Sequence, residues 1–350
     1  MTEAAFTVLR LDHWYHPSMA ETFAGRADVA LVTCPKADPP AAHAEDLARA
    51  HAYQISSTRD ELPEPWFATA DLLARCPELL CVSTSGAGFD TVSLEACTAA
   101  GVLAVNQAGA NARSVAEHTI GMILALAKRM GESDRRLRRE RGFTREDLMG
   151  HEIAGRTLGL VGIGHVGTAV ARLAAAFEMS VLAVDPYLHD AEVARRGAEK
   201  VDLDTLLARS DVVSVHCPRD AVTVGMFGAA AFARMRPGAL FINTARGGIH
   251  DEAALVDALT GGHLAGAGLD VWDVEPPPLD HPLLGLDTVM ATHHTAGVTH
   301  EARAAMGRWA ALQVLDVFAG RRPPRLLNPQ AWPRFAARYE AIIGRTVAAE

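Results

Sequence analysis

The sequence predicts an α/β protein of two Rossmann-like units, each a doubly wound parallel sheet, with a cleft between them. Three observations predict it. Short apolar runs alternate with helix-patterned segments along nearly the whole chain. Near the middle, the apolar run Leu158 to Val161 opens into Gly162-Ile163-Gly164-His165-Val166-Gly167, a helical pattern follows, and a second apolar run ends at Asp185. At 350 residues the chain is also long enough to bury two cores of ordinary size.

Before the glycine-rich turn, Phe6 to Leu9, Val29 to Val32, Ala52 to Ile55, Leu79 to Val82 and Val102 to Val105 read as strands of a small α/β unit. Residues 114–130 carry apolar side chains at helical spacing, with Gly121 as the one internal breaker, and predict a long helix buried between the two units. Strands then recur at 157–161, 180–184, 211–215, 239–242, 265–269 and 288–291, the six that a nucleotide-binding sheet requires. A helical pattern from Thr299 to Phe318 returns the chain before the breaker-rich RRPPRLLNP. The predicted domains are 1–113 with 299–350, a discontinuous substrate-binding unit, and 114–298, the dinucleotide-binding unit. Two crossovers of this kind form a hinge about which a cleft closes.

Composition narrows the function. Hydrophobic residues make up 49% and charged residues 21%, as in a soluble globular protein, and the net charge of −9 provides no broad basic field for nucleic acid or an anionic membrane. The Arg-rich stretch 135–141 is short, contains Glu140, and reads as a solvated helix face. No apolar run reaches the length of about 18 residues that a membrane span needs, and the N-terminus lacks the layout of a signal peptide. Cys34, Cys76, Cys81, Cys97 and Cys217 show no C-x-x-C spacing, so neither a metal site nor a disulfide framework is expected. These features point to the cytoplasm.

The glycine spacing has a specific physical use. Gly162 permits a tight turn, Gly164 lets backbone approach a pyrophosphate, and Gly167 lets the helix sit close to the strand, while the helix N-terminus offers unpaired N–H groups. Asp185, 23 residues after Gly162, is placed to accept from an adenosine ribose. Pro186-Tyr187-Leu188 follow it with no arginine or lysine close by, so a 2′-phosphate meets a carboxylate and NAD is favoured over NADP.

Three later strand ends carry chemistry. Asn243-Thr244-Ala245-Arg246-Gly247-Gly248 places an arginine, able to bind a carboxylate and polarise a neighbouring carbonyl, at the mouth of the ligand crevice. Gly268 to Pro278 brings Asp270, Asp273 and Glu275, and Val289 to Gly297 brings His293 and His294. A carboxylate beside an imidazole orients it and raises its pKa, fitting it to donate a proton near neutrality.

With these residues in place the chain resembles the D-isomer-specific 2-hydroxyacid dehydrogenase family. The matching segments run in the family's order: GAGFD (86–90), N-x-x-G-x-N-x-x-S-V-A-E (106–117), GIGHVG (162–167), HCP (216–218), NTARGG (243–248), GLDV (268–271), EPPPLDHPLL (275–284) and THHTAG (292–297). The resemblance implies that Arg246 binds and polarises the substrate, Glu275 supports the histidine and His294 is the acid/base. It further implies that Ser85, Gly86, Ala87 and Gly88 hold the substrate carboxylate, the last three through backbone N–H groups, and that Asp270 meets the nicotinamide carboxamide. His165, Val166, His216, Pro218 and Thr244 join the cofactor site on the same ground, and a homodimer paired through the nucleotide-binding unit, with the helix after Ser114 at the interface, is the expected assembly.

The chain departs from the family pattern in places. His293 stands where a proline is usual, which leaves two adjacent histidines, and the spacing from Glu275 favours His294. His165 replaces a frequent arginine in the glycine loop, and Arg219-Asp220 follow HCP where an apolar residue and Thr are common. The resemblance is nearest the glyoxylate/hydroxypyruvate reductase branch, which implies NAD-dependent interconversion of a small 2-oxo acid and its D-2-hydroxy acid. D-3-phosphoglycerate dehydrogenase is the close alternative, supported by Asn106 and GANARSVAE, and disfavoured by the lack of an early basic cluster and of a regulatory domain after residue 350. Phosphite dehydrogenase shares the scaffold, the formate type uses a glutamine in place of Glu275, and an NAD-sensing corepressor is the non-enzymatic alternative. Tyr53, Trp66, Phe89 and Trp332 read as core residues rather than pocket lining.

Overall fold

The computed structural model describes residues 5–348, which form two compact units: 5–111 with 299–348, and 112–298. In the first, β1 (Phe6–Leu11), β2 (Val29–Cys34), β3 (Ala52–Ile55), β4 (Cys81–Thr84) and β5 (Leu103–Val105) form a parallel sheet in the order β2-β1-β3-β4-β5. Strands β3, β4 and β5 are buried on both faces, as in a parallel sheet flanked by helices, while the edge strand β2 is only half-buried. Tyr53 and Trp66 are core residues, the Tyr53 hydroxyl donating to the Trp66 carbonyl at 2.9 Å, whereas Phe89 is partly exposed.

In the second unit, β6 (Thr157–Val161), β7 (Ser180–Val184), β8 (Glu199–Lys200), β9 (Val212–Val215), β10 (Ala239–Asn243), β11 (Leu264–Leu269) and β12 (Val289–Ala291) form a parallel sheet ordered β12-β11-β10-β9-β6-β7-β8. The strand order reverses between β6 and β9, and ligands of open α/β sheets bind outside the carboxyl ends of the strands at such a reversal. Six strands are expected from the sequence here and seven are found. The extra one, β8, is a two-residue edge pairing with Leu182 and Ala183, too short and too charged to show a strand pattern.

The helix expected at 114–130 runs instead from Ala112 to Ala127. Arg129 takes a left-handed backbone (φ 52°) and opens a separate helix, Met130–Arg139. The stop has a local cause: the Ala127 carbonyl accepts the His151 N–H at 2.7 Å, and Arg129 forks onto Glu132 (2.8 and 2.7 Å) while donating to the Asp147 carbonyl. The buried residues of Ala112–Ala127 are used within its own unit, against helix His165–Ala176 and strands β10, β11 and β12. Met130–Arg139 buries none of its residues and is laced by Arg136–Glu140 and Arg138–Asp134 pairs, the solvated face expected of the Arg-rich stretch. Among the described residues no helix is long and apolar enough to cross a membrane, and all five cysteines are free.

Candidate active site

The second unit gathers Arg246, Asp270, Glu275 and His294 from loops after β10, β11 and β12, three neighbouring strands. Buried Asn243 shapes the first loop. Its amide donates to the Arg246 carbonyl at 2.9 Å and its side-chain oxygen accepts from the Ala245 N–H at 2.9 Å. Gly247 explains its own identity, since a Cβ there would lie 1.9 Å from the Trp272 carbonyl oxygen, so only glycine lets the two loops pass. The Gly248 N–H then donates to Asp273 at 2.7 Å.

Glu275 is held between two donors. One oxygen accepts the Trp272 N–H at 3.0 Å and the other meets His294 Nδ1 at 2.7 Å. Burial works against charge on the His294 imidazole, but the hydrogen bond and charge of Glu275 outweigh it, and the pKa is raised. Burial likewise works against ionised Glu275, and is outweighed by His294, the Trp272 N–H and Arg246, leaving the carboxyl below its usual range. Arg246 lies close enough to bear on both groups. Each partner thus favours the charged form of the other, with Nδ1 engaged and Nε2 the nitrogen left for other work. His293, by contrast, is exposed.

His294 adopts φ 47°, a left-handed conformation uncommon for a non-glycine residue. The surroundings hold it there. Its N–H donates to the Asp270 carbonyl at 2.7 Å, while the buried Asp270 carboxylate accepts from Thr292 Oγ1 (2.6 Å), the Thr295 N–H (2.8 Å) and the Ala296 N–H (2.9 Å). Helix Ala112–Ala127 adds two ties to this loop, Ser114 Oγ donating to the Ala296 carbonyl at 2.7 Å and His118 Nε2 meeting Thr292 Oγ1 at 3.1 Å, and one to the Arg246 loop, Thr119 Oγ1 meeting Thr244 Oγ1 at 3.1 Å.

The glycine loop lies after β6 in the same sheet. Gly162 has φ 93°, and a Cβ on it would meet the His216 and Cys217 backbone at 2.9 Å, so this turn and the HCP segment after β9 are in contact at the reversal. A Cβ on Gly167 would sit 2.3 Å from the Gly162 carbonyl oxygen, whereas one on Gly164 would meet nothing within 4 Å. Asp185 is buried and accepts from the Ile163 N–H (3.2 Å) and the Tyr187 N–H (3.0 Å). His216 Nε2 bonds Ser214 Oγ at 2.9 Å, and burial lowers its imidazole to about 3, so the ring is neutral at ordinary pH. His165 is exposed at the first turn of the following helix.

Known proteins resemble this chain in sequence and fold. Residues 120–296 match the D-isomer specific 2-hydroxyacid dehydrogenase, NAD binding domain. The chain is 41% identical to a D-3-phosphoglycerate dehydrogenase of Archaeoglobus fulgidus over 251 residues, 72% of this chain and 47% of that protein. It is 37% identical to a glyoxylate reductase of Thermofilum pendens, covering 75% of this chain and 78% of the relative. The chain belongs to the D-isomer specific 2-hydroxyacid dehydrogenase family. A D-lactate dehydrogenase from Aquifex aeolicus, solved with NAD and lactic acid, superposes with a TM-score of 0.76 at 27% identity, covering 92% of this chain and 99% of that one. The chain spans about half the length of the phosphoglycerate dehydrogenases it matches.

The residues present fit the family's NAD. The open space before Gly164 leaves room for a pyrophosphate, the His165 and Val166 N–H groups lie at a helix start where no intrahelical acceptor exists, and the Asp185 carboxylate closes the next strand. One expectation from the sequence needs correcting. Two cations do lie beside the Asp185 turn, brought by the fold from further along the chain. Arg196 donates to the Ile163 carbonyl at 2.7 Å and is paired with Glu192 at 2.7 Å, and Lys200 donates to the Leu188 carbonyl at 2.6 Å. Sequence reading also missed Asn243, His118, Thr119 and Thr292, whose work is to shape loops. Ser114, Asn243 and Thr292 fall within the S-V-A-E, NTARGG and THHTAG segments, whereas His118 and Thr119 carried no signal.

In the first unit, the segment 85–88 is a turn in which the carbonyls of Gly86, Ala87 and Gly88 are engaged. Gly86 accepts from the Gln107 N–H (2.8 Å), Ala87 from Asn106 Nδ2 (2.6 Å) and Gly88 from Thr84 Oγ1 (2.9 Å). Among the described residues, the N–H groups of Gly86, Ala87 and Gly88 donate to no protein acceptor. The carbonyls turn inward and leave these three N–H groups over, an arrangement with the donors that an anion would need.

Proposed function

We propose that this chain is an NAD-dependent oxidoreductase that interconverts a small 2-oxo acid and its D-2-hydroxy acid, in the manner of a glyoxylate/hydroxypyruvate reductase. The observation that carries the reading is the 2.7 Å pair of Glu275 and His294 on a loop where the histidine backbone is locked by Asp270. NAD, when bound as NADH, supplies the hydride that reduces C2. As that carbon is reduced, negative charge grows on its oxygen, and a positioned imidazolium stabilises it more in the transition state than in the ground state. His294 Nε2 donates the proton to this oxygen, and in the reverse direction takes it back. Glu275 holds the ring through Nδ1 and keeps it charged until the proton leaves. Arg246 binds the substrate carboxylate and polarises the same carbonyl. In the first unit, the N–H groups of Gly86 to Gly88, with Ser85, serve a carboxylate by the same chemistry.

Cofactor contacts are assigned to Gly162, Gly164, His165, Val166, Gly167, Asp185, His216, Pro218, Thr244 and Asp270. Asp270 acts chiefly as the anchor of the histidine loop, because both its oxygens are occupied by that loop. The assembly we propose is a cytoplasmic homodimer paired through the second unit, where Met130, Leu137 and Met149 are exposed apolar residues on or near a helix that buries nothing. Light scattering at micromolar concentration should give twice the chain mass; a monomer mass rejects the dimer.

D-3-phosphoglycerate oxidation is the second reading, favoured by relatives of that name at 41–43% identity. NADH oxidation with glyoxylate, hydroxypyruvate, pyruvate, phenylpyruvate and 3-phosphohydroxypyruvate separates the two. The highest kcat/KM should fall on glyoxylate or hydroxypyruvate. A clear preference for 3-phosphohydroxypyruvate gives the second reading, and no turnover with any of the five rejects both.

A further inference from the structure

Away from the dehydrogenase residues, the edge of the first sheet carries a compact group of metal-ligating side chains. Cys34 is the last residue of β2, His43 ends the short 3-10 turn Pro40–His43, and Asp46 lies three residues on, in helix Ala44–Ala48. One ligand atom from each lies within 4.8 Å of the others. The Cys34 thiol donates to Asp46 Oδ2 at 3.8 Å, and His43 Nδ1 lies 3.7 Å from the same oxygen, the latter too far for a hydrogen bond. Metal–ligand distances of about 2.3 Å to sulfur and about 2.0–2.1 Å to nitrogen or oxygen set tetrahedral ligand–ligand edges at roughly 3.3–3.6 Å. The two observed edges come within about half an ångström of that spacing.

A second feature points the same way. His43 Nε2 is bonded to Asp38 Oδ2 at 3.0 Å. Carboxylate on one ring nitrogen and open geometry on the other is how metal-ligating histidines are oriented, because the carboxylate fixes the tautomer and makes the free nitrogen more basic. The loop is also held in place beforehand. Buried Trp66 donates its indole N–H to the carbonyls of Lys36 (3.1 Å) and Asp38 (2.9 Å), so the segment joining Cys34 to His43 is anchored to the core. Cys34 is buried while His43 and Asp46 retain partial exposure, which gives an ion a route in from solvent.

We propose that Cys34, His43 and Asp46 form a binding site for a divalent transition ion of the zinc type, with Asp38 as the positioning carboxylate and water in the fourth position. Mixed thiolate, imidazole and carboxylate donors select such an ion over calcium or magnesium. The ion clips the end of edge strand β2 to the segment that follows it. The sequence gives little warning, because its cysteines lack paired spacing and the Cys34-x8-His43-x2-Asp46 pattern resembles no common metal motif.

The test is titration of the reduced full-length protein with cobalt(II), followed by absorption. The wild type should develop a thiolate-to-cobalt charge-transfer band and the strong visible bands of four-coordinate cobalt, both bleached by zinc. Cys34→Ser should lose the charge-transfer band, and Asp38→Asn should keep it with affinity about 10- to 100-fold weaker. Zinc should raise the thermal midpoint of the wild type and leave that of Cys34→Ser unmoved. Circular dichroism without metal checks that Cys34→Ser folds. If it does not, His43→Gln serves instead and should weaken cobalt binding at least tenfold. Absence of a charge-transfer band in the wild type, or its persistence in Cys34→Ser or undiminished in His43→Gln, overturns the site.

Discussion

Two loops at the carboxyl ends of strands in one sheet, the glycine loop after β6 and the histidine loop after β12, solve the same problem by opposite means. Each holds backbone in an unusual conformation. The first spends glycine on it: Gly162 carries φ 93° without a side chain to clash, and Gly167 passes the turn at a distance no Cβ allows. The second puts φ 47° on a residue that must keep its side chain, His294, and has to enforce it from outside through Asp270, Thr292 and helix Ala112–Ala127. A conformation made by glycine is local and tolerant of its surroundings. One imposed on histidine depends on a buried network, and its cost is met by contacts far apart in sequence.

The sharpest way to break the comparison is at the residue the second loop exists to present. His294→Ala should lower kcat by roughly 10²- to 10⁴-fold, with NADH binding nearly intact. His293→Ala, one residue away but exposed, should leave kcat within about twofold, as expected for a surface position. Loss of turnover in His293→Ala with survival in His294→Ala would move the assignment by one residue. Asp270→Asn attacks the enforcement rather than the acid. Replacing one acceptor oxygen by an amide leaves a loop N–H facing a donor, and charged hydrogen bonds of about 1.5–3 kcal/mol each are at stake. A fall in kcat of about 10- to 100-fold is expected, read against an unchanged NADH dissociation constant. A dissociation constant that rises by the same factor would instead place Asp270 mainly at the nicotinamide.

The first loop should respond more mildly and in a different quantity. Asp185 should make NADH the better donor by at least about tenfold in kcat/KM, an effect of roughly 1.4 kcal/mol. Asp185→Ser with Tyr187→Arg should narrow the gap while leaving the pH profile alone. Arg196 and Lys200 beside this turn make the narrowing easier, since removing the carboxylate leaves two cations close by. Equal or better use of NADPH by the wild type contradicts the role given to Asp185.

The same contrast explains what could be read in the sequence. Gly162, Gly164, Gly167 and Asp185 stand out because a turn built of glycine needs glycine at fixed spacing, and the alternating apolar runs give both sheets apart from the two-residue β8. Arg246, Glu275 and His294 stand out as reactive types at strand ends. The left-handed backbone of His294, the anchoring done by Asp270, the approach of Arg196 and the stop at Arg129 leave no periodic trace. Each arises from contacts between segments tens of residues apart or from a single capped carbonyl.

The central claim is that Glu275 keeps His294 charged at the pH where it must give up a proton. The most direct test is the pH dependence of kcat/KM for 2-oxo acid reduction in the wild type and in Glu275→Gln. In the proposed mechanism reduction needs the protonated ring, so the rate should fall as pH rises through the His294 pKa, which the pair raises above its ordinary value. Glutamine removes the charge that raises it and leaves the burial that lowers it, so the fall should move to lower pH, with the rate at low pH least affected. A profile that keeps its position while the rate drops uniformly would mean that Glu275 only holds the ring in place, and would contradict the account.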